Sequence, residues 1–458
     1  MGEWRAPVGA VARGAMIGAV LIGIVLTAAA CGGRRAAPSA TPTTLSARPT
    51  EPTVCGPDQL ASCIPGLAAV GGDLFENVAV YAATPDFEYL RAGTPPESEP
   101  PECQTVPALG AKDAAALDAQ YYFADDGYGT GGRVPLRSPV VVRVAATSPN
   151  RTASGSELLG SDMRAWAERC PMWTIAPMAN AGDTSGWMIA ASSETLRRYQ
   201  RGDTAAQWSD VTHMVARVLP DGVVAQAWYR TSDPAAAARE DLLSRVVAAA
   251  GQPPPRSALP PNLTQWTRAE VSALLPRLEV QSAISVADND PGGPSWRLCD
   301  SAERGRDQLM ASWRSFDQSR WDAGGKPLRP FVAIHRLGPG IDYLAELRRA
   351  IAHCTERIGD KSELCADRDI NPSLQTDSVV IEGEDTVRFT YRWSGVGEIR
   401  GAPACTAGLE AVRATQVGDV VIISSAGTGG PFFTGDAVLP IDTLDELQAQ
   451  TVVRVKAT

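Results

Sequence analysis

The sequence predicts an α+β fold of two similar domains, each a mainly antiparallel sheet packed with helices and stapled by disulfides. Three observations predict it. The halves of the chain beyond residue 54 carry the same order of features on either side of a Pro-rich break. Each half holds a tight-turn signal, Asp221-Gly222 in one and Gly418-Asp419 in the other, and such turns join antiparallel strands. The chain also has nine cysteines behind a secretory leader, which reads as a disulfide framework for an oxidising compartment.

The leader comes first. Residues 1–30 carry Arg5 and Arg13 against Glu3, then an uncharged apolar run over 14–30 that ends in Ala28-Ala29-Ala30 before Cys31. Signal peptidases need small side chains at the cleavage point. This resembles the lipobox of bacterial lipoproteins, with Ala28 where that motif has Leu, and it implies Cys31 as the lipid-attachment residue. The competing reading is an uncleaved membrane anchor. At ~1.5 Å per residue the run reaches only about 26 Å, short of the ~30 Å hydrocarbon core. Both readings place the rest of the chain on the extracytoplasmic face of the cell membrane. A lipoprotein cysteine carries at least two acyl chains, and two chains hold a protein stably where one does not.

Residues 31–54 are rich in Pro, Thr, Ser and Ala and read as a flexible stalk. Residues 55–250 form the first expected domain, 251–262 (GQPPPRSALPPN) a Pro-rich linker, and 263–458 the second domain. The formal net charge is −10, and loss of the leader makes the chain more acidic still. Such a field does not favour nucleic acid, so none is expected as a partner. Arginine is abundant while lysine is confined to Lys112, Lys326, Lys361 and Lys456, a codon bias of GC-rich genomes such as actinobacterial ones.

Within the halves the matching elements are a cysteine (Cys103; Cys299), an apolar strand (140–146; 331–337), a helix ending on a cysteine (158–170; 341–354), a hairpin (215–224; 412–421) and a terminal helix (234–249; 442–449). Leu159, Met163, Trp166 and Cys170 form one helical stripe, and Leu344, Leu347, Ile351 and Cys354 the other. A further helix over 264–278 opens the second half. The two hairpins align without a gap.

Apart from Cys31, eight cysteines remain: Cys55, Cys63, Cys103, Cys170, Cys299, Cys354, Cys365 and Cys405. The repeat suggests Cys103–Cys170 and Cys299–Cys354. Cys55–Cys63 would close a short loop, leaving Cys365–Cys405, although many other connectivities are open on sequence alone. No CxxC occurs, and His213, His335 and His353 are scattered, so no metal or cofactor is expected.

No nucleophile elbow, HExxH, P-loop or dinucleotide fingerprint is present. Both GTGG segments, 129–132 and 427–430, read as loops. Asp125-Asp126 and Glu384-Asp385 read as solvated surface, and Arg201-Gly202-Asp203 as a polar loop. Trp166 and Trp393 fit core positions, whereas Trp296, Trp313 and Trp321 precede the second apolar strand and could line a cleft.

The lipid anchor, the stalk, the opening helix of 267–276 (TRAEVSALLP), the helix-terminal cysteine and the late strand with VGDVV at 417–421 together resemble the extracellular sensor domain of PknH-type serine/threonine kinases. The resemblance covers 263–458 and, more weakly, 65–250. It implies an antiparallel sheet flanked by helices, two disulfides per domain and a cleft for an unidentified ligand. The first half departs from it, because Cys55 and Cys63 match no equivalent of Cys365 and Cys405. The expected function is therefore a membrane-anchored extracytoplasmic lipoprotein with sensor-type domains for a small-molecule, lipid or glycan ligand and no catalysis. A transporter's solute-binding lipoprotein is the second reading and a secreted hydrolase the third.

Overall fold

The computed structural model describes residues 44–45, 54–71, 74–83, 115–124, 139–146, 164–171, 173–177, 184–191, 211–219, 222–231, 240–252, 266–286, 307–316, 330–354, 373–399, 402–430, 439 and 441–458. The chain divides into two compact units, Met1–Thr41 and Pro42–Thr458. The first, with the leader and Cys31, lies wholly outside the described residues.

Repeat 1 supplies strands β2 (Phe75–Ala82), β3 (Ala116–Phe123), β4 (Val140–Ala146), β5 (Trp173–Pro177), β6 (Thr184–Ala191), β7 (Val211–Leu219) and β8 (Val223–Thr231). Its helices are α1 (Leu67–Val70), the segment 164–169 and α2 (Glu240–Ala249). Repeat 2 supplies β9 (Ser282–Ser285), β10 (Asp307–Ser315), β11 (Phe331–Leu337), β12 (Ser373–Ile381), β13 (Glu384–Ile399), β14 (Ala402–Val417) and β15 (Val420–Gly430). Its helices are α3 (Arg268–Ser272), α4 (Tyr343–Cys354) and α5 (Ile441–Lys456). Before both repeats comes β1 (Thr44–Leu45), inside the expected stalk, paired parallel with β12 through Thr44↔Val380 and Leu45↔Ile381.

These strands form one 15-stranded sheet in the order β1-β12-β13-β14-β15-β11-β10-β9-β2-β3-β4-β8-β7-β6-β5. Reading outward from its centre, repeat 1 runs β2-β3-β4-β8-β7-β6-β5 and repeat 2 runs β9-β10-β11-β15-β14-β13-β12. The two orders are the same with each strand number advanced by seven, and the helices fall at the same places between them. Apart from the β1–β12 pair, all neighbours are antiparallel.

The repeats meet edge to edge. Antiparallel pairing of β2 with β9 sets Asn77↔Ser285, Val78↔Ile284, Ala79↔Ala283 and Val80↔Ser282. Within the repeats Ala79 pairs with Gln120 and Ala283 with Arg314, while Gln120 pairs with Val141 and Arg314 with Phe331. Ala79 and Ala283 are thus equivalent positions that face one another, and a pseudo-two-fold axis passes between them. The halves expected as separate domains therefore share their sheet, and one hydrophobic core runs through both, from Val78, Tyr121 and Val142 to Trp313, Val332 and Ile422.

The strand sequences account for this layering. β4 (VVVRVAA) and β11 (FVAIHRL) lie inside the sheet, where β-branched and aromatic side chains fit a pleated surface buried on both sides. One face, here the helical face, packs against α1, α2, α3 and α5. Leu242, Leu243, Val246 and Val247 are the apolar stripe of α2. On the opposite face, α4 covers Val387, Phe389, Tyr391, Val412, Ala414, Val421 and Ile423 in repeat 2.

Several expectations shift. The opening helix of the second half is confined to Arg268–Ser272, started by a Thr267–Glu270 capping box and followed by Pro276, which disfavours helical geometry in the residue before it. The terminal helix instead runs longer than expected, to Lys456. Of the expected helix over 158–170, residues 164–169 are helical and 158–163 lie outside the described residues.

The hairpins do not align without a gap. Leu219↔Val223 leaves a three-residue loop closed by Gly222 at φ 73°, whereas Val417↔Val420 leaves a two-residue loop with Gly418 at φ 57°. The extra residue shifts the register before the turn by one. Met214, not Val215, corresponds to Val412, and a one-residue slip exchanges the faces of a strand. The segment 427–430, expected as a loop, is the end of β15. Gly427 pairs with Glu410 and Gly429 with Gly408, and glycine in a strand suits a close approach from its neighbour. A Cβ on Gly427 would stand 3.0 Å from Glu410 Cγ, and one on Gly408 2.7 Å from the Trp393 ring.

Candidate functional site

In repeat 1 the face of the sheet opposite α1 and α2 is polar, and it is buried. Strand alternation puts Asp118, Gln120 and Tyr122 of β3 on this face, because Ala119, Tyr121 and Phe123 belong to the helical-face core. The same alternation adds Asn77 from β2, Arg143 from β4, Met214 from β7, and Gln226 and Trp228 from β8. At the junction Ser285 of β9 and Ser312 of β10 continue the row, since Ser312↔Ser285, Ser285↔Asn77 and Asn77↔Tyr122 are successive Cα partners.

The centre of this face is an ion pair between neighbouring strands. Asp118 and Arg143 are Cα partners. Arg143 Nε donates to Asp118 Oδ1 and Nη2 to Oδ2, each at 2.7 Å, with relative exposures of 1% and 4% for the two residues. The guanidinium carbon lies 5.8 Å from the centre of the Trp228 ring, within cation–π range. Beside it Gln226 Nε2 donates to Met214 Sδ at 2.6 Å, and Tyr122 Oη donates to Gln120 Oε1 at 2.6 Å. Asn77 is 5% exposed, and its Oδ1 has no hydrogen-bond partner among the described residues.

The same positions in repeat 2 carry different chemistry. Ser312 and Ala333 stand where repeat 1 has Asp118 and Arg143, and Ile423 stands for Gln226. There the face is aliphatic and aromatic and packs against α4. The polar groups of repeat 2 lie instead beneath α5. Arg413 on β14 donates to Asp445, which also pairs with Arg388, and Arg388 reaches the exposed Asp377. Burial pulls the Arg413 guanidinium down, and the Asp445 carboxylate opposes that shift. Gln448 donates to Thr415 Oγ1 and to the Ile422 carbonyl, and Thr415 bonds Thr386. Buried networks of this kind fix one packing of a helix on a sheet. The network here holds the C-terminal helix and leaves the polar face of repeat 1 as the candidate site.

Near the far end of β14 a buried acid forms a smaller cluster. Tyr391 Oη donates to Glu410, and Ser425 also bonds that carboxyl. Burial pushes the Glu410 carboxyl up from its ordinary value, partly offset by those two hydrogen bonds. Burial and the neighbouring Glu410 push the Tyr391 phenol up as well.

No family model matches the chain. No curated protein matches it either. Among solved structures, one likeness is to LpqN, involved in cell envelope biogenesis of Mycobacterium tuberculosis. It has 12% identity, covers 38% of this chain and 81% of that one, and has a TM-score of 0.15. Another is to the di-domain ARO/CYC StfQ from the steffimycin biosynthetic pathway, with 10% identity, 88% and 95% coverage and a TM-score of 0.16.

The residues singled out in the sequence distribute as follows. Cys55 and Cys63 are joined by a disulfide with a Cα separation of 4.7 Å. Cys170 and Cys405 are also disulfide-bonded. Cys103, Cys299 and Cys365 lie outside it, as does the side chain of Cys354. His213 is buried on the helical face. No group of three or more His, Cys, Asp or Glu among the described residues could hold a metal.

Glu384 pairs with Lys456 at 2.7 Å and Asp385 with Arg348 at 2.5 Å, so these adjacent acids tie α5 and α4 to β13. Trp313 is buried on the helical face and Trp166 stacks on Trp173 at 6.4 Å, while Trp296 and Trp321 lie outside the described residues. So do 125–126, 129–132 and 201–203. The sequence reading missed Asp118, Arg143, Gln120 and Gln226. One signal was available: Arg143 interrupts an otherwise apolar VVVRVAA run, and a charge inside a central strand calls for a buried partner.

Proposed function

We propose that this chain is an extracytoplasmic binding protein, anchored to the membrane through a lipid on Cys31, which holds a ligand against the polar face of repeat 1 without transforming it chemically. The observation that carries the reading is the asymmetry of a duplicated fold. Two repeats share one topology, yet the buried face opposite α1 and α2 in repeat 1 is polar where its counterpart in repeat 2 is apolar. A buried ion pair adds little to stability when compared with apolar packing, and repeat 2 shows that Ser312 and Ala333 serve at the same positions.

The leader sequence supports the anchor. The absence of a nucleophile–base motif from the sequence supports binding without catalysis. No helix among the described residues is long and apolar enough to cross a membrane. The transporter reading needs hinged lobes built from βαβ crossovers, and the antiparallel, continuous sheet does not favour it.

Native mass spectrometry of the protein purified from its own envelope tests the reading. The wild type is expected to carry a noncovalent adduct, and the paired replacement Asp118→Leu with Arg143→Met to lose it. A wild type without adduct, or an adduct that survives the replacement, overturns the assignment. An intact Met1–Ala30 peptide on the mature protein would overturn the lipid anchor alone.

A further inference from the structure

We infer that the protein hangs from the membrane by repeat 2: β1 fastens the chain that leads from the lipid to the outer edge of β12, and that edge is the part of the sheet held beside the lipid surface. The inference rests on the lipid-anchor reading above. In sequence β1 stands just ahead of repeat 1, yet it pairs with β12, the outermost strand of repeat 2. The attachment therefore skips the repeat that follows it and closes on the one that ends the chain.

The turn after β12 fixes which groups face β1. Glu382 and Gly383 have φ 51° and 82°, and Ile381↔Glu384 closes a two-residue loop. This is the type I′ geometry, whose flanking residues bond one another. The odd-numbered residues of β12 thus turn their N–H and C=O groups to β13, and Val380 turns its own outward. In a parallel ladder such a residue bonds the neighbours of its Cα partner. The partner is Thr44, so the Leu45 N–H faces Val380 while the Thr44 N–H faces away from the sheet. Proline suits only the outward positions of an edge strand. In the sequence Pro42 falls on the parity of Thr44, the one that an outermost strand can give to proline.

The fastening point is firm. Val379 and Ile381 are 2% and 0% exposed and belong to the common core. Lys456, at the end of α5, donates to the Glu382 carbonyl at 2.7 Å and pairs with Glu384. Arg454 of the same helix donates to the Leu275 carbonyl, just beyond α3. A pull on β1 is thus resisted by β12, its turn, α5 and the segment after α3 together.

Chain length sets the reach. Thr44 comes thirteen residues after Cys31, a span of at most about 45 Å. Fastened first at the Cys55–Cys63 disulfide instead, the chain would reach about 80 Å.

The test places the full mature chain on phosphatidylcholine vesicles, with a dye on Gln375→Cys, an exposed position of β12, and a quencher on the lipid headgroups. The dye is expected to be quenched. Leu45→Pro removes the N–H that faces Val380. Exchange of the Val380 amide should quicken about tenfold or more, and quenching should fall as the reach lengthens. Thr44→Pro removes an N–H that faces away and should change neither. Equal behaviour of the two variants, or quenching that survives Leu45→Pro, overturns the inference. Mass spectrometry of the same sample separates the two readings. A chain without acyl groups ends the anchor reading and the suspension with it, whereas an acylated wild type whose dye escapes quenching ends the suspension alone.

Discussion

Ala79 and Ala283 are Cα partners across the β2–β9 junction, and each holds in its own repeat the place that the other holds in its. The pairing predicts a cross-link. Opposed residues of an antiparallel pair have Cα atoms about 4.5–5.5 Å apart, inside the range a disulfide spans. Ala79→Cys with Ala283→Cys should oxidise to an intramolecular bridge that appears as one new cross-linked peptide under non-reducing mapping. Two free thiols after oxidation would mean that the repeats do not share this edge.

The Asp118–Arg143 pair should show strong non-additivity. Arg143→Met alone leaves a buried carboxylate and is expected to cost about 3–5 kcal/mol, as is Asp118→Leu alone, while the double replacement comes close to neutral. A denaturant double-mutant cycle measures this. Additive losses would show that the charges are solvated and the face is not closed.

Glu410 gives a pH signature. Burial raises its folded pKa above the ordinary carboxylate value, so the folded state retains a proton that the unfolded chain gives up. Stability from this group is fully present below the unfolded pKa and is lost as pH rises through the folded value. Glu410→Gln should therefore gain on the wild type as pH climbs above 4.5, read as the difference in urea midpoints across a pH series. Asp377 has the opposite sign. Its hydrogen bond from Arg388 holds the carboxyl below its ordinary value, so its contribution is present above the unfolded pKa and fades as pH falls through the folded one. A midpoint difference that is flat with pH would mean that Glu410 is not buried as an acid.

Gly408→Ala tests the close approach of β13 and β15. The added methyl would stand 2.7 Å from Trp393 ring atoms and 2.8 Å from the Thr428 carbonyl oxygen. Backbone does not yield easily, so a loss of about 1–3 kcal/mol is expected, and Trp393→Ala should relieve only part of it. Full rescue by Trp393→Ala would show that the ring alone sets the limit.

Asp445→Ala should loosen α5 before the rest of the protein. Arg413 would be left buried without its carboxylate, and amide exchange over 441–456 should quicken relative to the strands of repeat 1. Uniform exchange across the chain would count against a local role.

What the sequence made legible was local. Asp221-Gly222 and Gly418-Asp419 marked real hairpins, and the β-branched runs at 140–146 and 331–337 became interior strands with those bounds. The repeated order of features matched a repeated topology. What it hid was relational. Nothing in the four residues SAIS shows that β9 joins the two repeats, since its partner β2 lies far away in sequence.

The one-residue difference between hairpin loops was hidden by the similarity of VARVLPDGVV to VRATQVGDVV. Gly427–Gly430 read as a loop because glycine lowers strand propensity, and the strand forms there because its neighbours need the space. Of the candidate site, Arg143 was visible as a charge among valines. Asp118, Gln120 and Gln226 became meaningful only once strand pairing set them beside it.

The junction has a consequence for assembly. A single repeat ending in the β2-type edge would complete its sheet by meeting a second copy about a two-fold axis, with Ala opposite Ala, as isologous dimers do. In the fused chain the second copy is always present. An encounter that would have depended on protein concentration has become internal to one polypeptide, and each copy has since been free to change its side chains independently of the other.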